Sequence, residues 1–397
     1  MTSCSTAVPA PGDIGAGTAY LLDRIAAYLG HAVPAEWADA FRAVPRHRFL
    51  PGRVWLPDQA AGYVPCDRAR DPERWWAAAY GDASVVTLVA EEDDGYRRPL
   101  SSASAPGAVL RMLELVDPVP GFRVLEIGAG TGFHAGLLAH RLGEDAVTSV
   151  DLDAALVERA RRNLAGVGLR PRVECADGAG GWPQEAPYDA VVATCSVRAV
   201  PPAWVAQTRP GGRIVTPWDS AWGAYGTLAL TVRPGGVAEG RFHPFGAYMP
   251  LRDPAASGGG LAGDTSGTVG ADDGVTALSP WAVAGEDLDA QFAVGLLVPG
   301  VWHAWDAEPG EPGVAVRLVL ADEAGESWAC IDYDGERHDR YRVRQSGPRR
   351  LADEVTAAHV WWTALGRPPV SRFGATATPT GHTLWLDHPE QPLPAPK

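Results

Sequence analysis

Three glycines at alternate positions, Gly128, Gly130 and Gly132, interrupt the run VLEIGAGTGFHAGLLAHRLG after an apolar strand, and a helical pattern restarts behind them. Glycine allows tight turns and close approach of backbone to a ligand at the C-terminal end of a strand, the ligand edge of an open α/β sheet. The dinucleotide fingerprint G-x-G-x-x-G requires glycine at 133, where Phe133 stands, and a P-loop requires a lysine, of which the chain has one, Lys397. Phosphate is therefore a poor fit. The acids at the strand ends indicate what the loop holds instead. Asp151 closes VTSVD, where a carboxylate can accept two hydrogen bonds from a ribose diol. Asp177, followed by Gly178 in CADG, stands after the third strand, where an adenine or its flanking backbone would lie. Glu126, just before the glycines, either orients the loop or meets a ligand ammonium. A diol, an adenine and an ammonium without phosphate describe S-adenosylmethionine. Asp151 has a plainer role open to it, a helix N-cap, which Asp153 fits better directly before AALVERA; that of Asp177 is a turn residue.

These groups need a scaffold, and strands and helices alternate from residue 124 onward. RVLEIG leads to a helix over 133–142, VTSVDLD to AALVERARRNLAGVG with Leu156, Ala160 and Leu164 on one face, and then come RVECADG, YDAVVATCS, PPAWVAQTRPGG and RIVTPW. This rhythm predicts an α/β fold with a mostly parallel sheet covered on both faces. Upstream, Leu22, Ile25 and Leu29, then Trp37, Phe41 and Val44, predict two helices in an N-terminal helical region over 1–75. The methyl-donor-binding domain is expected over 76–240 and a C-terminal α+β extension over 241–397. In the extension, VAVRLVLAD, SWACIDYDG and HTLWLDH alternate as strands do, and Leu351, Val355, Ala358, Trp362 and Leu365 stripe one helix. The Gly- and Ser-rich residues 254–275 read as a flexible segment.

Composition narrows the function classes. A formal net charge of -14 disfavours nucleic acid and other polyanions. The five cysteines lie far apart, with no CxxC and no zinc-like spacing, so reduced thiols and no metal are expected. No run approaches the roughly 18 apolar residues of a membrane span, and a soluble, cytoplasmic protein is expected. Other residues invite a role and have a plainer one: His134 packs or meets ligand, WHAW (302–305) and Trp361-Trp362 form core or an aromatic peptide face, EEDDG (91–95) is a solvated turn, and Cys195 is an inert thiol.

FRAVPRHRFLP (41–51), AYGDASVVT (79–87), SSASAPGAVLRMLE (101–114), VLEIGAGTGFHAGLLA (124–139) and YDAVVATCSVRAVPPAWVAQTRPGGRIVTP (188–217) resemble, in order, the protein-L-isoaspartate O-methyltransferase family. The resemblance implies a Rossmann-like class I methyltransferase and places Ser102 and Ser104 beside the transferred methyl and the substrate carboxyl; the family's threonine is Ser102 here. PFGAYMPLR (244–252), GPRRLADEVTAAHVWWTALGRP (347–368) and RFGATATPTGHTLWLD (372–387) resemble the extended homologues found with ribosomal peptide natural products. That implies a modified precursor peptide as partner, esterification of an aspartate, and collapse of the ester to an aspartimide. Repair of isoaspartate in damaged proteins is the alternative, and a catalytically silent nucleoside-binding regulator is an alternative of another class.

Overall fold

The computed structural model describes residues 9–58, 62–91, 97–252 and 271–395. The chain opens with α1 (Ile14–Leu29) and α2 (Ala35–Ala43), followed by β1 (Arg53–Asp58), β2 (Gly62–Asp67), α3 (Pro72–Tyr80), β3 (Val85–Glu91), β4 (Arg97–Ala103) and α4 (Pro106–Val116). The alternating unit comprises β5 (Val124–Ile127), α5 (Phe133–Leu142), β6 (Val147–Asp151), α6 (Ala154–Gly166), β7 (Arg172–Cys175), β8 (Tyr188–Ala193), α7 (Pro202–Gln207), β9 (Thr208–Pro217), β10 (Thr227–Arg233) and β11 (Val237–His243). Then come β12 (Asp272–Thr276), α8 (Trp281–Ala284), α9 (Leu288–Leu297), β13 (Val301–Asp306), β14 (Val316–Asp322), β15 (Trp328–Tyr333), β16 (Tyr341–Ser346), α10 (Leu351–Ala364), β17 (Phe373–Thr378) and β18 (Gly381–Leu386).

The main sheet has nine strands in the order β18-β17-β11-β10-β9-β8-β5-β6-β7. The five strands from β9 to β7 run parallel, and the other four continue antiparallel. β5 lies between β8 and β6, so the glycine loop leaves the sheet where the chain order reverses, at the crevice such sheets use for ligands. All four residues of β5 are buried, as both faces are covered: Val124 joins the core under α4, α5 and α6, and Leu125 and Ile127 join the core beneath Trp204. On α6 the stripe Leu156, Ala160 and Leu164 is buried, with Asp153 as its N-cap.

The structure departs from the sequence-based boundaries in three places. Residues 53–58 and 62–67 are the antiparallel strands β1 and β2, not helix, and join β3 and β4 in a four-stranded sheet, so the boundary at 75 divides one structural unit. The extension is not separate either. β17 pairs with β11 and β18 with β17, so it returns to the methyltransferase sheet and covers an edge that would otherwise stay open. Trp385 lies across Gly374 so closely that a Cβ there would meet the indole at 2.1 Å. Finally, most of the 254–275 segment lies outside the described residues, but Asp272 to Val275 belong to β12, the edge of a five-stranded sheet ordered β12-β16-β15-β14-β13. An ion pair between Arg342 Nε and Asp273 at 2.9 Å ties that strand to β16. On α10 Leu351, Val355, Ala358 and Trp362 are buried, whereas Leu365 lies just past the helix and is 42 % exposed.

Candidate active site

β5 ends directly under the glycine loop, and all three glycines sit at positive φ: Gly128 at 95°, Gly130 at 50° and Gly132 at 83°. Side chains rarely adopt this region, so the turn depends on glycine. The three have different neighbours. Gly128 and Gly130 line a cleft of about 350 Å³. Gly132 lies behind it as the N-cap of α5, where a Cβ would meet Ala160 at 3.1 Å, so its bare backbone serves helix packing.

Asp151 lines the cleft at the end of β6. Its Oδ2 accepts from Gly130 N at 2.9 Å, its Oδ1 accepts from Asp153 N at 3.1 Å, and Arg252 Nη2 stands 3.5 Å from Oδ1. A carboxylate has about four acceptor sites, so one remains on Oδ2, and a diol that bonds both oxygens takes the long Arg252 contact's place on Oδ1. Gly178 forms part of the wall with Ile127, Val150, Leu152, Leu156 and Leu251, an apolar surface suited to a flat ring. A Cβ on Gly178 would meet Ile127 Cγ2 at 2.6 Å. Asp177 is exposed beside it and is not part of the lining; its Oδ1 accepts from Ala179 N at 2.9 Å, the turn role open to it in the sequence.

Glu126 is fully buried beneath the loop. With Nδ1 the protonated nitrogen, His134 donates to its Oε1 at 2.7 Å, and Ser149 Oγ donates to Oε2. Both of its oxygens are thus engaged by α5 and β6 on either side of the loop, it is not part of the cleft lining, and His134 is a buried partner of that carboxylate. Cys195 faces the cleft, but burial together with the nearby carboxylates of Asp151 and Glu126 pushes its thiol up to about 12, so it is protonated and unreactive at neutral pH.

Ser102 and Ser104, carried by the end of β4 and the turn into α4, are half-buried. They line this cleft and also a second cavity of about 490 Å³, with Pro99, Thr194 and Met249 common to both. The second cavity reaches Tyr28, Asp82, Tyr248, Ala224 and Ala247. The Tyr248 hydroxyl is buried and has no hydrogen-bond partner among the described residues, so it holds a donor in reserve.

Several residues that position this site were not singled out from the sequence. Arg46 is 1 % exposed. Its Nη1 donates to the carbonyls of Ala78, Ala79 and Gly81, and its Nη2 to those of Ala83, Ala103 and Ser104, at 2.8 to 3.3 Å. It thereby clamps the serine turn to the 78–83 segment. Burial draws its pKa down to about 10, offset in part by Asp82, and it stays charged at neutral pH. Asp82 Oδ1 accepts from Gly107 N at 2.6 Å in the first turn of α4, and Thr194 Oγ1 donates to Gly128 O at 2.7 Å. The signals for these lay in VPR and AYGD, which carried the family resemblance but have no chemistry legible from residue type alone. The aromatic pairs divide: Trp362 is core, Trp305 is 36 % exposed and stacks on Trp281, and His303 lies tilted against Trp222 with ring centroids 4.5 Å apart. Of EEDDG, Glu91 ends β3 and the rest lies outside the described residues.

Among the described residues no group of three or more His, Cys, Asp or Glu could hold a metal, and no helix is long and apolar enough to cross a membrane. A family model for Protein-L-isoaspartate(D-aspartate) O-methyltransferase matches residues 73–240. The protein-L-isoaspartate O-methyltransferase of Methylorubrum extorquens is 36% identical over 214 residues, covering 54% of this chain and 78% of the relative. That of Gloeobacter violaceus is 36% identical over 171 residues, covering 42% of this chain and 80% of the relative. A solved structure titled protein-L-isoaspartate O-methyltransferase superposes with a TM-score of 0.51 at 20% identity, over 94% of this chain and all of that one, so the extension shares its fold. The architecture is that of the class I methyltransferases. The chain belongs to the protein-L-isoaspartate O-methyltransferase family, which are S-adenosylmethionine-dependent carboxyl methyltransferases.

Proposed function

We propose that the protein esterifies the side-chain carboxylate of an aspartyl unit in a peptide, and that its preferred acceptor is an aspartate in a ribosomally made, post-translationally constrained peptide. The observation that carries the reaction class is the meeting of two cavities at Ser102 and Ser104, one suited to the nucleoside and the other to the acceptor. S-adenosylmethionine, when bound, supplies a methyl carbon on a positively charged sulfur. An aspartate is ionised at neutral pH, so the acceptor needs no general base. What the chain provides is placement. Asp151 and the Gly128 and Gly130 backbone hold the nucleoside, Ser102 and Ser104 aim the carboxylate, and Tyr248 donates to an acceptor carbonyl. Holding reacting atoms about 3–3.5 Å apart recovers roughly 7–11 kcal/mol of entropic and solvent cost.

Esterification removes the carboxylate's charge and creates a methanol leaving group. The next residue's amide nitrogen then closes a five-membered imide as methanol departs, and water opens the imide to isoaspartate or aspartate. The constrained-peptide reading rests on the tail segments that resemble natural-product homologues, and on cost. A preorganised macrocycle spares roughly 0.5–1.5 kcal/mol per side chain that a flexible chain would lose on ordering.

A second reading, repair of isoaspartyl sites in damaged proteins, is favoured by the relatives' names and by a solved structure of that name that spans the extension as well. Incubating a crosslinked peptide, its linear precursor and a generic isoaspartyl peptide with S-adenosylmethionine, followed by mass spectrometry, separates the two. The crosslinked peptide should gain one methyl and then lose methanol, ending one water lighter, far faster than the others react. Equal reaction of the linear or generic isoaspartyl peptide would put the repair reading in its place.

A further inference from the structure

The acceptor cavity does not end at the methyltransferase core. Ala224, Gly246 and Ala247 line it and also line an outer groove of about 340 Å³ whose far wall is Leu288, Gln291 and Phe292 of α9, in the extension. We infer that this groove holds the stretch of acceptor peptide that flanks the modified aspartyl unit. The inference rests on the proposed methylation of a peptide and adds the path by which the extension contributes to substrate selection.

Three observations support it. The groove adjoins the acceptor cavity along three small residues, Ala224, Gly246 and Ala247, so the boundary between them carries no bulky side chain common to both. The backbone N–H and C=O groups of Ala224 and Ala247 pair with no other group among the described residues. They can bond an extended peptide without regard to its side chains. The walls are also held at a fixed spacing. A Cβ on Gly295 of α9 would meet Ser220 Oγ at 2.5 Å, one on Gly226 would meet Phe292 Cε2 at 3.0 Å, and Gly246 adopts φ 91° with a virtual Cβ 2.8 Å from Thr227 Oγ1. These close contacts lock α9 against the two loops that form the floor.

The groove's chemistry selects an uncharged occupant. Leu288, 46 % exposed at the start of α9, and the half-buried Tyr225 offer apolar surface, and Gln291, whose Nε2 donates to Gly285 O at 2.6 Å, keeps its Oε1 as an acceptor. Among the described residues no Asp, Glu, Lys or Arg lines it. An apolar or small residue near the modified site fits this surface, and a charged one would lose its hydration there without a partner.

The test uses the full chain with S-adenosylhomocysteine and three labelled probes: a capped aspartyl unit, the same unit extended by four uncharged residues toward the N-terminus, and one extended toward the C-terminus. Fluorescence anisotropy should show one extension binding about tenfold or more tighter than the capped unit. Leu288→Glu should bring that ratio down to about one, whereas Val360→Glu, a surface change on α10 away from the groove, should leave it as in the wild type. Extensions that bind no tighter than the capped unit, or a ratio that survives Leu288→Glu, overturn the inference. Because Leu288 is exposed, circular dichroism and the Leu288→Ala variant, expected to give an intermediate ratio, separate a groove effect from misfolding. Methylation of the same probes is scored separately. If none is esterified the proposed reaction fails, while the anisotropy still decides whether the groove binds peptide.

Discussion

Replacing Arg46 by lysine tests how the site is held. The guanidinium is buried, and its two terminal nitrogens serve six carbonyls: four in the 78–83 segment and two, Ala103 and Ser104, at the serine turn. Lysine keeps the charge but has three N–H groups on one nitrogen, and that single point cannot span both segments. Retaining the bonds to Gly81 and Ala83, the shortest at 2.9 and 2.8 Å, abandons the serine turn. Hydrogen bonds to charged groups contribute roughly 1.5–3 kcal/mol each, so loss of the two turn bonds should cost about 3 kcal/mol or more of unfolding free energy. Burial also favours the neutral amine, which adds to the loss. Denaturant unfolding should therefore shift to a clearly lower midpoint, and kcat should fall about tenfold or more when measured well below the variant's Tm. Affinity for S-adenosylhomocysteine by calorimetry should stay within about two-fold, because Arg46 touches neither Asp151 nor the glycine loop. Unchanged stability would refute the bond accounting, and lost stability with an unchanged kcat would refute the link to the serine turn.

Asp151→Ala removes the acceptor expected for the ribose and the partner of Gly130 N, and should weaken S-adenosylhomocysteine about ten-fold or more by titration calorimetry; full affinity in a folded variant would remove the assignment. Ser104→Ala should lower the methylation rate constant with cofactor affinity within about two-fold, since lost aim acts on the transition state, and full activity would move that role to Ser102. Tyr248→Phe deletes a buried hydroxyl that has no partner among the described residues, so the fold should keep its Tm while peptide KM or kcat worsens several-fold; kinetics equal to wild type would show that the hydroxyl meets no acceptor. At pH 8 iodoacetamide should label exposed Cys175 and spare Cys195: with its thiol pushed up to about 12, roughly one in ten thousand is thiolate, and labelling of Cys195 should rise as pH is raised toward that value. Fast labelling at pH 8 would contradict that environment.

Local pattern determined the elements that interact with their near neighbours in sequence. Glycines at 128, 130 and 132 specify a turn only glycine can make, period and capping placed α6 with Asp153 at its start, and the strand-end position of Asp151 followed from the alternation of strand and helix. The family motifs drew attention to Ser102 and Ser104. Tertiary structure alone decided which groups line the cleft. Glu126, Gly132 and Asp177 were expected at the cofactor along with Asp151, yet Glu126 bonds His134 and Ser149, Gly132 packs on Ala160, and Asp177 caps its own turn. Each of the first two outcomes depends on a residue from another element, whose distance and direction no periodicity encodes. The same holds for the sheets. The alternation in HTLWLDH marks a strand, but that it pairs with β17 and that β17 completes the edge at β11, more than a hundred residues earlier, is settled by which edge was left open. Arg46 shows the limit most clearly: a lone arginine after a proline carries no chemistry by type, and its role arises because folding brings six carbonyls from two distant segments around one buried charge that must be satisfied.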